Sequence, residues 1–271
     1  MIHALRTAVN CSLLFTELPL LDRPAAAAAA GFDAVEFWWP FTEAVPADRD
    51  VDAFVTAVSD AGVALVGLNF AAGDMPGGDR GLVSWPARAA EFRDNVAVTT
   101  AIGERLGCRA FNALYGNRLE GIDPAEQDDL GAEQLAFAAR AAARIGGTVL
   151  LEPLSAAPWY PLRRAEDALA VVDRVAADTG VEALGLLLDL YHLAVNGEDL
   201  GRAVTVHGPR AVHVQIADAP GRGAPGTGEL DLVRHLRRLE EVVYGGWVAL
   251  EHMPGEGDPF AWLPWERRAA E

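Results

Sequence analysis

A (β/α)8 barrel built as a single domain is the fold class this sequence predicts, and three observations predict it. Eight short apolar runs recur along the 271 residues. Helix-compatible stretches separate consecutive runs, which is the pattern of a parallel sheet covered by helices. The last four runs each close on a carboxylate or amide, where a barrel places its chemistry, at the C-terminal rim of the strands. A doubly wound open sheet is the rival architecture, but eight runs exceed its usual strand count, and no GxGxxG follows the first run. No interdomain linker interrupts the pattern, so residues 1–271 are read as one barrel.

The runs, in order, are HALRTAVN, AVEFWWP, ALVGLNF, RAFNALY, TVLLEP, LGLLLDLYH, AVHVQIAD and GWVALEH. Continuous apolar character suits strands buried on both faces. Between them, Asp22 to Ala30 is almost pure alanine, with Pro24 placed for a first helical turn. Asp48 to Ala61 keeps Val51, Phe54, Val55 and Val58 on one face and stops at Gly62. Trp85 to Leu106 and Ala125 to Arg144 repeat the design, ending at Gly107 and Gly146. Ala165 to Ala177 stops near Gly180, Leu200 to Val206 is weaker, and Leu230 to Tyr244 ends at Gly245.

Composition narrows the function classes. Apolar residues make up 51% and charged residues 23%, a globular balance, and the net charge is −17. A chain that acidic is a poor nucleic-acid binder, since phosphate contacts need clustered basic residues. No run approaches the length of a membrane span. The N-terminal MIHALRTAVNCSLLF reads as a first core strand rather than a signal peptide. Cys11 and Cys108 stand far apart with no paired spacing, which points away from a disulfide framework or zinc knuckle and toward a reducing, cytoplasmic home.

The chemistry concentrates at Glu152, Asp189, Gln215 and Glu251, the polar ends of runs five to eight. Singly, a carboxylate at a strand end reads equally well as a satisfied structural group. Four from consecutive strands are neighbours in a barrel, and three carboxylates meeting without a cation would push one another's proton affinity up. No lysine lies in that region to neutralise them. A divalent ion resolves the repulsion, and all-oxygen donors favour Mg²⁺ or Mn²⁺ over zinc. Nearby stand His192, read in a loop after the sixth strand, and Arg222 in the glycine-rich GRGAPGTGEL. Position alone leaves each between an ordinary loop residue and a substrate contact. Trp38, Trp39, Trp85 and Trp159 follow strands or open helices, as core, rim or a wall of the pocket.

These motifs together resemble the hydroxypyruvate isomerase family of the xylose-isomerase-like barrels, which include sugar epimerases. The resemblance runs nearly end to end: NCSLLF, AVEFWWPF, AAGD with GDRGL, AEFRDNV, LEP, LDLYH, QIAD with RGAPGTGE, and YGGWVALEHMP. It implies a divalent metal held by Glu152, Asp189, Gln215 and Glu251, with the two glutamates also acting as acid and base. It implies that His192 and Arg222 contact substrate, Arg222 receiving a carboxylate. Gln215, where epimerases often carry His, favours the hydroxypyruvate branch. The implied activity is aldose–ketose isomerisation of a small 2-oxo acid, hydroxypyruvate to tartronate semialdehyde. Two departures, LSAAPWYPLRR after Glu152 and His252-Met253 after Glu251, border the substrate. They keep two alternatives open: an isomerase or epimerase of a four-carbon 2-oxo acid or free ketose, and a barrel that binds a metabolite without turnover. The partner expected is a small-molecule 2-oxo acid or sugar, with no nucleic acid and no membrane, and a homo-oligomer is left open.

Overall fold

The computed structural model describes residues 5–269; His3 and Ala4 of the first run, and residues 1–2 and 270–271 of the domain, lie outside the described residues. Eight strands form one closed parallel barrel in sequence order. They are β1 Arg6–Asn10, β2 Ala34–Phe37, β3 Ala64–Asn69, β4 Ala110–Asn112, β5 Thr148–Leu151, β6 Leu184–Asp189, β7 Ala211–Ile216 and β8 Trp247–Leu250. β8 closes on β1 in the register Arg6↔Trp247 to Val9↔Leu250. Eight helices jacket them: α1 Arg23–Ala29, α2 Asp48–Ala61, α3 Ala89–Leu106, α4 Pro124–Ala143, α5 Ala165–Thr179, α6 Leu190–Val195, α7 Leu200–His207 and α8 Leu232–Glu241. No helix of the described residues is long and apolar enough to cross a membrane.

All eight apolar runs became strands, and the helix stops at Gly62, Gly107 and Gly180 are left-handed C-caps. Two local readings differ. The last helix ends at Glu241, because Val243 takes a left-handed turn at φ 59 and breaks the chain before Gly245. His192 lies in a short helix, not a loop. The Asp189 carboxylate accepts from the backbone N–H groups of Tyr191 (2.7 Å) and His192 (3.2 Å), so the strand's last residue caps α6.

Strand periodicity divides the core in two. Outward residues such as Val149, Leu151, Leu186, Leu188, Val214 and Ile216 pack with helix residues such as Leu135, Leu169 and Leu236 in one large cluster. Inward residues make two small clusters, Ala8 with Ala34 and Ala249, and Ala110 with Leu150 and Leu187. The next inward position along each of these six strands is polar: Asn10, Glu36, Asn112, Glu152, Asp189 and Glu251. The register carries Asp189 level with Gln215, and Asn10 level with Glu36. Asn10, Glu36, Asn69, Asn112, Glu152, Asp189, Gln215 and Glu251 thus stand within one residue of the ends of the eight strands, all buried.

Candidate active site

Within this ring Asn10, Glu36, Gln215 and Glu251 are hydrogen-bonded together and Asn112 binds Glu152, and these partners restrict what each can do. Glu36, inside β2, accepts from Asn10 Nδ2 (2.7 Å) and Gln215 Nε2 (2.8 Å) and lies 2.6 Å from His213 Nε2. Gln215 Nε2 also donates to Glu251 Oε1 at 3.2 Å. An amide that must donate to two carboxylates has its orientation fixed, and its oxygen is left facing the other way. That oxygen, Gln215 Oε1, is buried and without a hydrogen-bond partner. A buried acceptor left unpaired costs about 1–3 kcal/mol, so an electrophile is its natural complement.

Glu251 Oε1 accepts from Trp38 Nε1 (2.6 Å) and Asn10 Nδ2 (3.2 Å) as well, and its Oε2 is bound by the Arg222 guanidinium. Glu152 has a single donor, Asn112 Nδ2 on its Oε2 at 2.7 Å. Its backbone carbonyl accepts from the Tyr160 hydroxyl at 3.0 Å, which ties the LSAAPWYPLRR segment to the strand end. His192 Nε2 lies 3.7 Å from Glu152 Oε1 and 3.8 Å from Asp189 Oδ2. On its other side the Ser155 backbone N–H donates to Nδ1 at 3.0 Å, so the neutral ring carries its proton on Nε2, facing the acids. Glu152, Asp189, His192 and Glu251 offer ligand atoms within 4.8 Å of one another, all buried. A buried cluster of this kind can hold a metal ion, and the unpaired Gln215 oxygen beside it fits the same use.

The electrostatics follow from burial. Burial and the charges of Glu251 and Asp189 push the Glu152 carboxyl well above the usual carboxylate range, against Asn112 and Arg222. Burial likewise pushes Glu251 up to about 8, with Arg222 opposing and Asp189 and Glu36 adding. Burial drops His192 to about 4, so the ring is neutral at pH 7. At Arg222 burial weakens the cation, but Glu251, Asp189 and Glu152 outweigh it and raise its proton affinity.

Arg222 is held in place from two directions. Its backbone is left-handed at φ 57, and its carbonyl accepts from Met253 N at 2.7 Å. The buried Asp218 carboxylate organises the same loop, accepting from Ala219, Gly226 and Leu230 N–H groups. All six residues read from the sequence meet at this mouth. Asn10, Glu36, Asn69 and Asn112 were not singled out in the sequence; β1, β3 and β4 end in the three asparagines, but only the first apolar run stops at its asparagine. Trp38 walls a cavity of about 970 Å³ above the ring, together with Trp39, Phe41, Phe70 and Leu114. Trp159 is exposed.

A closed eight-stranded barrel with an acidic, oxygen-rich mouth defines the class, and comparison with known proteins gives the family. A family model described as xylose isomerase-like TIM barrel matches residues 24–271, and the chain belongs to that family. A Streptomyces coelicolor relative, named provisionally as a hydroxypyruvate isomerase, is 55% identical over 270 residues, covering 97% of this chain and 96% of its own. The hydroxypyruvate isomerase of Escherichia coli K12 is 32% identical, covering 92% of this chain and 94% of its own. The 2-oxo-tetronate isomerase of Cupriavidus necator is 34% identical, covering 93% and 94%. Among solved structures, a family 2 AP endonuclease from Brucella melitensis superposes with a TM-score of 0.84 at 35% identity, covering 95% of this chain and 97% of that one.

Proposed function

We propose that this isomerase interconverts a small 2-oxo acid and its aldehyde isomer, hydroxypyruvate and tartronate semialdehyde in the first instance, with a divalent metal ion, Mg²⁺ or Mn²⁺. One observation carries the reading: three buried carboxylates converge at the mouth beside an amide oxygen that has no protein partner. Glu152, Asp189, Gln215 and Glu251 would hold the ion. When bound, it would polarise the substrate's carbonyl and adjacent hydroxyl and so acidify the C–H between them.

The chain's own groups perform the proton movements. Glu152 has one hydrogen-bond donor, on Oε2, and burial raises its proton affinity, both of which suit a group that takes up a proton. It takes the proton from the hydroxymethyl carbon, and the electron pair moves through the new C=C bond onto the former carbonyl oxygen. The hydroxyl proton passes from one oxygen to the other, and Glu251 returns a proton to the neighbouring carbon. No atom is gained or lost. The His192 Nε2–H, beside Glu152 and Asp189, would meet the substrate's oxygens as a positioned donor and stabilise the charge that develops there, while Arg222 holds Glu251 in place. Thorough chelation should abolish turnover of hydroxypyruvate, and Mg²⁺ or Mn²⁺ should restore it. Full activity after chelation contradicts the metal-centred reading.

Loading the ion should also release protons. The folded-state affinities of Glu152 and Glu251 are raised above the ordinary value of 4.5, so metal-free protein is stabilised by them at low pH. That contribution is lost as pH rises, through about 8 for Glu251. Mg²⁺ or Mn²⁺ binding at pH 7 should therefore expel protons, and the release should shrink above pH 8. Titration calorimetry in buffers of different ionisation enthalpy measures this, and identical heats in both buffers would contradict it.

A second reading, a four-carbon 2-oxo acid as substrate, is favoured by the cavity of about 970 Å³, roomy for three carbons. A nuclease reading after the Brucella structure conflicts with the net charge of −17. A barrel that binds a metabolite without turnover would leave the paired glutamates with no proton to move.

A further inference from the structure

The sequence assigned the substrate's carboxylate to Arg222, but that guanidinium is already bound to Glu251 and lies 3.9 Å from Asp189 Oδ2. A divalent ion and Arg222 together balance the three clustered carboxylates, which leaves no spare positive charge for an anionic substrate at that end. Three arginines line the cavity: Arg80, Arg88 and Arg222. Arg88 is paired with Asp79 at 3.2 Å and with Glu91 at 2.5 Å. Arg80 is different. Its Nη1 donates to the carbonyls of Met75 (3.0 Å) and Asp79 (2.6 Å), and among the described residues no carboxylate lies within ion-pair distance. The adjacent Asp79 carboxylate is turned away, accepting from Asp74 N at 2.7 Å and from Arg88.

We infer that Arg80, in the loop between β3 and α3 and lining the same cavity as Glu152 and Glu251, is the seat for the carboxylate of the 2-oxo acid. This rests on the isomerase reading above and specifies which residue selects acids over neutral sugars. Its backbone is built to hold still. The Arg80 carbonyl accepts from Gly116 N at 3.0 Å, and Gly81 N donates to the Ala72 carbonyl at 2.9 Å. Gly81 has φ +110, and a Cβ there would come within 1.8 Å of the Leu114 carbonyl oxygen, so only glycine lets this loop close on the one after β4. With Nη1 occupied by the loop, Nε and the second terminal nitrogen remain as donors for a carboxylate. The cation that a sequence reading places after β7 thus sits after β3, in the GDRGL motif.

The test compares hydroxypyruvate with dihydroxyacetone, in which a hydroxymethyl group replaces the carboxylate. Dihydroxyacetone is followed as a substrate and as a competitor of hydroxypyruvate. Arg80→Gln should raise KM for hydroxypyruvate by about tenfold or more, with kcat falling far less, and should weaken dihydroxyacetone less than about twofold. Arg80→Lys, which keeps the charge but loses the fork, should recover part of the affinity. An unchanged KM in active Arg80→Gln, or equal losses for both ligands, would overturn the assignment. A drop in melting temperature shared by both variants, with equal effects on acid and neutral ligand, would make Arg80 a loop brace instead. Should the wild type convert no 2-oxo acid, the isomerase reading fails, and calorimetry still decides. Hydroxypyruvate binding to the Mn²⁺-loaded protein that weakens in Arg80→Gln keeps the anion seat, while binding that is absent or indifferent to Arg80 removes it.

Discussion

Glu251→Gln should lower turnover by at least ~1,000-fold, about 4 kcal/mol of lost transition-state stabilisation, in a protein that still folds. Glutamine matches the shape of glutamate but not its acceptors. Glu251 Oε1 receives donors from Trp38, Asn10 and Gln215, and Oε2 receives Arg222. An amide supplies one oxygen and one NH₂, so whichever way it turns, a donor faces a donor. The variant loses its proton-returning group, a negative charge toward the ion, and the anchor that holds Arg222. Removing one member of a crowded, buried acid cluster also relieves repulsion, so the melting temperature should fall little. Steady-state turnover with a thermal melt checks both halves. Near-wild-type kcat with an unchanged melt contradicts the role given to Glu251.

Asp189 carries the second large effect, which falls on metal affinity. Its Oδ1 caps α6 and its Oδ2 faces His192 and Arg222, so one side chain starts a helix and contributes charge to the site. Two substitutions separate these duties. Asp189→Asn keeps an oxygen for the cap and loses the charge, whereas Asp189→Ala loses both. Mn²⁺ affinity should drop at least ~100-fold in each, above the range for outer-shell changes. Asp189→Ala should lose a further ~1 kcal/mol of stability with the cap. Titration of Mn²⁺ followed by calorimetry measures the affinities. Wild-type affinity in Asp189→Ala would remove Asp189 from the ion's shell.

The barrel was legible because its strands are continuous apolar runs and its helices end at glycines that take left-handed caps. Half of the polar ring was legible for the same reason: Glu152, Asp189, Gln215 and Glu251 interrupt long apolar stretches. The other half was harder to see. Glu36 sits within a short run, and three asparagines carry no charge to draw attention. Their importance lies in contacts between distant parts of the chain, such as Asn10 with Glu251, 241 positions apart. Helix α6 is six residues long, too short to show a period, and its start signal was the same aspartate read as a site residue. The engagement of Arg222 depends on a loop shaped by Asp218, which no local pattern in GRGAPGTGEL announces.

The central claim is that two buried glutamates move a proton between adjacent carbons of a small 2-oxo acid. Conversion of hydroxypyruvate in deuterium oxide, with Mg²⁺ or Mn²⁺ present and followed by proton NMR, tests it most directly. Carboxylates exchange their protons with solvent, so the aldehyde product should carry deuterium at the carbon that was the carbonyl. Glu152→Gln should suppress both the product and the exchange. Product that forms at the full rate with no deuterium at that carbon would mean that hydrogen migrates directly between the carbons, and would contradict the roles assigned to Glu152 and Glu251.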